Sequence, residues 1–293
     1  MRLGPFDPGS INVRRGGGGG GFPGGGGGQL GCGAIIIAII GAVVFGVDPG
    51  QMLSGMQGMQ QGTSSGTFQG PPSGGGESAA EICDDNAYAL EACNALSNLN
   101  QTWQPAFQQA GVAFQQPTLV FYRGGTSSGC GSASAAMGPF YCPADQGIYI
   151  DTSFYDQMAQ QLGAEGDFAR YYVIAHEYGH HIQYLTGVAN AIRSAQNQNP
   201  RQANQLQVLM ELQADCYAGA WAGRNRALIE PGDFEEGMTA ASAIGDDTLM
   251  RSAGQAVNPE SFTHGSSEQR MQALRLGLET ADDTQCDRIV ELR

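Results

Sequence analysis

Hydrophobic and polar positions follow three different patterns along this chain. Residues 30–47 contain no charged or strongly polar side chain, which predicts an apolar helix about 27 Å long, close to the hydrocarbon thickness of a bilayer. Strand-like composition, rich in β-branched and aromatic residues, occurs in PTLVFYR (117–123) and GIYID (147–151). Apolar residues recur at helical spacing over 78–103, 167–186, 200–226, 233–250 and 266–279. These patterns predict a helix-dominated α+β domain with a small β-sheet, preceded by one transmembrane helix.

The segments around these elements divide the chain into four parts. Residues 1–29 form a glycine-rich arm, because glycine tracts have no side chains to bury. Residues 30–47 form the membrane span. Residues 48–76 are rich in Gln, Gly, Ser and Met, which is typical of a flexible tether. We expect the folded domain to occupy residues 77–293.

Charges beside the apolar segment predict its orientation. Arg2, Arg14 and Arg15 precede it and Asp48 follows it, so the positive-inside rule places the N-terminus in the cytoplasm. The chain is then a single-pass protein of the inner (cytoplasmic) membrane with a periplasmic or extracytoplasmic domain. A cleavable signal peptide is the alternative, but the polar arm before the segment is long and no A-x-A-like site follows it.

Small residues recur every four positions within the apolar segment. Ala34, Ala38, Ala42 and Gly46 form a stripe that could let two membrane helices approach closely. Small residues are also common in spans that do not associate. Self-association through the membrane helix is therefore a hypothesis.

The hexapeptide HEYGHH at 176–181 contains three of the four histidines. His176 and His180 lie one turn apart on a helix and can offer two imidazole nitrogens to one Zn²⁺. Glu177 then lies beside the metal, where its carboxylate can take a proton from zinc-bound water. A solvated, histidine-rich helix face is the alternative. His181 points about 100° away from His180, which indicates a supporting or structural role.

Catalytic zinc sites require a third protein ligand and an open position for water. The extended H-E-x-x-H-x-x-G-x-x-H pattern fails, because Gln183 and Thr186 occupy its last two defined positions. Within the downstream segment MELQADC, Glu211 and Asp215 share one helix face among apolar neighbours. We predict that Glu211 completes the metal shell and that Asp215 accepts the spare N–H of a ligand histidine. The alternative is a solvated acidic face.

The last histidine, His264, precedes a predicted helix in the segment THGSSEQR. Its functional interpretation is a donor to the oxyanion that forms during peptide hydrolysis. Its alternative role is that of a surface or capping residue.

Six cysteines follow the apolar segment, and an even number fits an oxidising compartment. Cys130 and Cys142 bracket a Gly/Ser-rich loop and are the best candidate pair. Cys83 and Cys93 cannot bond within one unbroken helix, since ten residues rise about 15 Å. Either that helix bends or they pair elsewhere. Free buried thiols in a cytosolic protein are the alternative, and they would reverse the predicted topology.

The chain is acidic, with 28 Asp and Glu residues against 14 basic residues, all of them Arg. Lysine chemistry is therefore excluded, and so is a polybasic nucleic-acid surface. The net charge of −14 favours solubility and could disfavour strongly acidic peptides near the cleft.

HEYGHH, ELQADC and THGSSEQR together resemble the bacterial neutral zinc metallopeptidase family. The likeness extends to FGVDP (45–49) and to SGCGSASAAMGPFYCPADQGIYID (128–151). It implies a zincin-like domain with one zinc ion on His176 and His180 and with Glu177 as catalytic base. Glu211 as third ligand is similar to the gluzincin arrangement, although 31 residues separate it from His180, more than in many gluzincins. By analogy with such peptidases, GIYID is a hypothetical strand for pairing with substrate.

Two functions follow from these observations. The first is a membrane-anchored zinc endopeptidase acting on peptides or proteins. The second is a non-catalytic, membrane-tethered interaction or assembly module that retains a structural zinc. Glu177 favours the first, since a structural site prefers a closed shell of four ligands and has no use for a free carboxylate.

Overall fold

A computed structural model of the chain describes residues 1–17 and 77–291. The predicted membrane helix at 30–47, its stripe of small residues and the tether at 48–76 lie outside the described residues. Among those that are described, no helix combines the length and apolar character that a membrane crossing requires. The span and its self-association stay predictions.

The described residues form a helix-dominated α+β fold with two small sheets. The strands are β1 (Asn12–Arg15), β2 (Thr118–Tyr122), β3 (Gly125–Ser128), β4 (Gly131–Ser134), β5 (Phe140–Cys142) and β6 (Gly147–Asp151). The α-helices are α1 (Ala79–Cys83), α2 (Ala87–Ala110), α3 (Ser153–Leu162), α4 (Asp167–Leu185), α5 (Val188–Gln198), α6 (Ala203–Arg224), α7 (Asp233–Ala243), α8 (Asp246–Ser252), α9 (Ser267–Thr280) and α10 (Asp283–Asp287).

The larger sheet has the strand order β1-β2-β6-β5. Strands β1, β2 and β6 are parallel, and β5 runs antiparallel to β6. Side chains alternate across the sheet, so Ile148 and Ile150 pack into the main core while Tyr149 packs into a small cluster on the opposite face. The predicted strand GIYID is therefore an interior strand. The analogy that assigned it to substrate pairing is wrong, because β2 and β5 already occupy its two edges.

Residues 1–17 belong to this fold, whereas the sequence pattern predicts a separate arm over 1–29. Strand β1 pairs with β2 from Asn12 to Arg15, and the side chain of Ile11 is buried in the core. Arg14 donates a hydrogen bond to Tyr149, and Arg15 forms ion pairs with Glu77 and Asp85. A four-residue strand with two charges offers no periodicity that would predict this pairing.

Two predicted helical stretches are each divided into two helices by a turn. The stretch 78–103 breaks at 84–86, where Asn86 caps α2 by accepting a hydrogen bond from the backbone of Ala89. The stretch 233–250 breaks at 244–245, between α7 and α8. Helices α3 and α5 were not predicted from the sequence.

Three disulfides join the six cysteines of the described domain. Cys130–Cys142 is the predicted pair. The bend before α2 brings the Cα atoms of Cys83 and Cys93 to 6.0 Å, so the first of the two alternatives holds for them. The third bond joins Cys216 in α6 to Cys286 in α10.

Helix α4 lies at the centre of the core and contacts α2, α6, α7 and the strands β5 and β6. Its Gly179 permits a close approach to α6, because a Cβ there would lie 2.9 Å from the Cα of Ala214. Glycine also permits a close approach between α6 and α9, because a Cβ on Gly277 would lie 2.0 Å from the carbonyl oxygen of Cys216. These contacts fix the helices whose facing side chains form the site.

Candidate functional site

Helix α4 presents His176 and His180 to a cavity of about 340 Å³. The two ring centroids are 4.8 Å apart, as expected for residues one turn apart on a helix. The helix begins at Asp167, as predicted, and Gly166 is its N-cap.

Glu211 approaches both histidines from α6. Its Oε2 atom lies 3.2 Å from Nε2 of His176 and 3.4 Å from Nε2 of His180. One donor atom from each of the three residues lies within 4.8 Å of the others. The helix packing therefore brings together the three residues that the sequence predicts as metal ligands.

Hydrogen bonds on the opposite ring nitrogens orient both histidines. Nδ1 of His176 is 2.8 Å from Oδ1 of Asp215, and Nδ1 of His180 is 2.9 Å from Oε1 of Gln183. Each Nδ1–H donates to its oxygen, which leaves both Nε2 atoms for a metal. Asp215 thus lies where the sequence predicts, whereas Gln183 was considered only as a failed motif position.

The other oxygen of Glu211 is occupied as well. Gln207, one turn earlier on α6, donates a hydrogen bond of 2.8 Å to Oε1, so Oε2 alone faces the histidines.

Burial would raise the pKa of Glu211, but His180 and His176 hold it well below its usual value. Burial would lower the pKa of His176, but Asp215 and Glu211 raise it to about 10. Binding of a divalent ion would therefore displace protons from these rings.

Asp215 is fully buried and bonded on both oxygens. Arg270 on α9 donates 2.8 Å and 2.9 Å hydrogen bonds to Oδ2 and Oδ1, and Tyr172 donates one of 2.6 Å to Oδ1. Burial would raise the pKa of Asp215, but Arg270 and His176 lower it to about 2. The carboxylate that orients His176 is thereby kept charged.

Glu177 is also buried, yet its environment differs. It lines the cavity beside His176 and His180 and makes no hydrogen bond with any residue that the structure describes. Asp215, Gln183 and Gln207, which contact the three candidate ligands, are by contrast already hydrogen-bonded. A carboxylate left unpaired in this way is available to a water molecule or a ligand.

His264 lies on the loop before α9 and lines the same cavity. Asp246, the first residue of α8, accepts hydrogen bonds from the backbone of Thr263, His264 and Gly265. Its Oδ1 also lies 3.3 Å from Nδ1 of His264. This carboxylate fixes the loop and orients the ring of His264, whose Nε2 can donate a hydrogen bond when both ring nitrogens carry a proton.

His181 faces away from the cavity and is fully buried. Its Nε2 donates to the carbonyl of Gln115 at 2.6 Å, so its Nδ1 accepts a hydrogen bond from the hydroxyl of Tyr141 at 2.9 Å. Burial lowers the pKa of His181 to about 4, which keeps the ring neutral. The residue joins β5 to α4, in agreement with its predicted supporting role.

The separations between the donor atoms of Glu211 and the two histidines match the geometry of a zinc site. Two donors about 2.05 Å from a tetrahedral zinc ion lie about 3.3 Å apart. The separations of 3.2 and 3.4 Å match that value. Two imidazoles and one carboxylate are also the ligand set of zinc sites that retain an open position. These residues therefore fit a zinc ion.

A second group, Asp167, Asp233 and Glu236, has the spacing of a metal site among the described residues. The α-ammonium of Met1 already lies 2.7 Å from Asp233 and 3.1 Å from Asp167. A cation is therefore supplied by the chain itself.

Arg270 is the main residue of the site that sequence reasoning missed. It occupies the fourth position of α9, and Ala273, Leu274 and Gly277 follow it on the same buried face. A lone arginine on an apolar helix face predicts a buried carboxylate partner. That pattern could have indicated Arg270 but not which acid it binds.

Comparisons with known proteins relate the chain to one family. The model of a family described as "Putative neutral zinc metallopeptidase" matches residues 6–289. The uncharacterized protein YpfJ of Escherichia coli is 50% identical over 196 residues, which cover 66% of this chain and 68% of that protein. The uncharacterized protein Rv2575 of Mycobacterium tuberculosis is 34% identical over 262 residues, or 84% of each chain. No solved structure matches significantly.

Proposed function

Because this chain belongs to the neutral zinc metallopeptidase family, we propose that it is a zinc-dependent endopeptidase. The observation that carries the proposal is the carboxylate of Glu177, which is unpaired among the described residues and lies next to three residues whose donor atoms fit zinc. A purely structural site has no use for such a group. The open cavity around it gives a peptide access to the same place.

The residues divide the chemistry among them. His176, His180 and Glu211 would hold the ion, which when bound supplies Lewis acidity toward a water molecule and the scissile carbonyl. Glu177 accepts the proton of the attacking water and delivers it to the leaving amine. His264, oriented by Asp246 and protonated on both ring nitrogens, donates a hydrogen bond to the carbonyl oxygen as negative charge develops there.

Strand β5 is suited to align the peptide. Its outer edge is unpaired among the described residues, and it borders the cavity through Phe140 and Tyr141. Three consecutive side chains anchor it: Phe140 stacks on Tyr149, Tyr141 bonds to His181, and Cys142 is in a disulfide. An extended peptide could add to this preformed edge by main-chain hydrogen bonds.

Membrane attachment through residues 30–47 and export of the domain are also part of the proposal. The three disulfides support an oxidising compartment. Residues 12–15 pair with β2, and a single crossing of the membrane at 30–47 would separate β1 from this partner. The proposal therefore assigns residues 1–17 to the same side as the domain, with residues 30–47 attached to the membrane without crossing it. A reporter fused after Arg293 that is active only in the cytoplasm would overturn export.

Elemental analysis and peptide cleavage by the full-length protein test the proposal. We expect one zinc ion per chain and cleavage of an unstructured protein substrate. Glu177→Gln should retain zinc and lose at least about a hundredfold in rate, since it removes the proton acceptor.

The matched control is Glu165→Gln, which makes the same change at an exposed position away from the cavity. It should cleave at the parent rate. Bound zinc without cleavage of any substrate by the parent protein would favour the non-catalytic module instead. Equal cleavage by the parent and Glu177→Gln proteins would remove Glu177 as the base.

A further inference from the structure

Most of the cavity wall is apolar or aromatic, and few charged side chains line it. Glu177 and Glu211 are its acidic residues, and both have roles at the metal group. Arg270 is committed to Asp215. Arg193 remains, and it makes no hydrogen bond or ion pair with the residues that the structure describes. Within the part of the chain that the structure describes, the cavity thus contains one arginine without a partner.

Helix α5 determines where Arg193 lies. Ile192 is buried in the fold and holds the helix against it. Ala189 and Arg193, one turn apart, both line the cavity. Arg193 is exposed, so its guanidinium is hydrated and accessible to a ligand.

The sequence around Arg193 is unusual for this chain. Residues 178–210 contain no Asp or Glu and two arginines, Arg193 and Arg201, although the whole chain carries 28 acidic residues. Several exposed arginines elsewhere form ion pairs with carboxylates, as Arg123 does with Asp85. The segment beside the cavity is therefore a local positive region in an acidic protein, and its field attracts anions.

We infer that Arg193 forms a carboxylate-binding subsite of the substrate cavity. The enzyme then prefers peptides that bear a carboxylate near the scissile bond, as an Asp or Glu side chain or as a free C-terminus. Guanidinium binds carboxylates through two parallel hydrogen bonds, which suits this position. The inference specifies a substrate class for the proposed function, on which it rests. This preference is opposite to the expectation from the net charge of −14, which alone would disfavour acidic peptides.

Binding measurements test the inference separately from catalysis. The zinc-loaded, full-length Glu177→Gln protein is titrated with three fluorescent octapeptides of otherwise identical sequence. One has an interior Gln and a C-terminal amide, one an interior Glu and the amide, and one the Gln and a free C-terminus. We expect one or both carboxylate peptides to bind about fivefold more tightly than the neutral one, with a preference that declines as salt rises. The tighter of the two identifies the source of the carboxylate.

Adding Arg193→Gln should abolish this preference and leave the affinity for the neutral peptide unchanged. Arg201→Gln is the matched control, because it removes the same charge from the same acid-free segment but does not line the cavity. It should retain the preference. Equal binding of all three peptides, or equal losses in the two arginine variants, would overturn the inference. A preserved preference, combined with a parent protein that cleaves no peptide, would contradict the proposed function alone.

Discussion

Replacing Arg270 by Gln tests whether the buried carboxylate of Asp215 depends on this arginine. Asp215 is fully buried and Arg270 is 2% exposed. The substitution removes two charge-assisted hydrogen bonds to Asp215 and one to the hydroxyl of Tyr172. Breaking a buried ion pair by removing one partner costs about 3–5 kcal/mol, because the remaining charge is left without compensation. For a domain of this size that loss lowers the melting temperature by about 6–20 °C.

The same substitution should weaken metal binding. Asp215 orients His176 through Nδ1, and loss of such supporting hydrogen bonds typically lowers metal affinity about 10- to 100-fold. Thermal unfolding by circular dichroism at fixed zinc measures stability, and competition with a chelator measures the zinc dissociation constant. In Arg270→Gln the melting temperature should fall and the zinc dissociation constant should rise.

Arg251→Gln is the control for this experiment. Arg251 pairs with Asp247 on the surface and its side chain is 61% exposed, so its loss should cost less than about 1 kcal/mol. If Arg270→Gln is no more destabilising than Arg251→Gln, then Arg270 does not compensate the charge of Asp215.

The pH dependence of stability gives a second check. The pKa of Asp215 is lowered to about 2 from its ordinary value of 3.8. A carboxyl group whose pKa is lower in the folded state stabilises the fold above its unfolded pKa, and this stabilisation is lost as the pH falls toward 2. Without Arg270 the pKa rises, so acid unfolding should begin at a higher pH. An unchanged acid transition in Arg270→Gln would contradict this account.

Three further variants have defined outcomes. Gly179→Ala should weaken zinc binding, because the added Cβ would press on Ala214 and move α6 away from α4. Chelator competition measures this affinity, and an unchanged value would show that the helices adjust without cost. Replacing Cys216 and Cys286 by Ser should cost about 4 kcal/mol in denaturant unfolding, since their disulfide closes a loop of 70 residues; a loss below about 1 kcal/mol would contradict the loop-entropy argument. His264→Ala should lower kcat by about 100-fold with little change in KM or zinc content, as expected for a donor to the developing oxyanion; a change in KM alone would assign His264 to substrate binding.

Local spacing predicted the core of the candidate site. His176 and His180 lie four residues apart, so forming the helix is enough to align them. Glu211 and Asp215 were recognisable because two carboxylates stood among apolar residues, where unpaired charges are costly. Neither argument depends on how distant elements pack.

The support around the site could not be predicted in the same way. Arg270 lies 94 residues from His176, and only the packing of α9 on α6 brings it to Asp215. Strand β1 has no pattern of its own, and its pairing with β2 depends on a segment more than 100 residues away. Such contacts depend on tertiary geometry that single-sequence periodicity does not encode.

The sequence by itself determined the elements whose chemistry is local: the metal-binding pair, the adjacent Glu177, the helical character and the acidic surface. Only the tertiary structure decided which oxygen of Glu211 faces the histidines, how Arg270 keeps Asp215 charged, and that residues 1–17 complete the sheet. The physical reason is the range of the interactions. Backbone geometry fixes neighbours within one helical turn, whereas the meeting of distant helices depends on close approaches at residues such as Gly179 and Gly277.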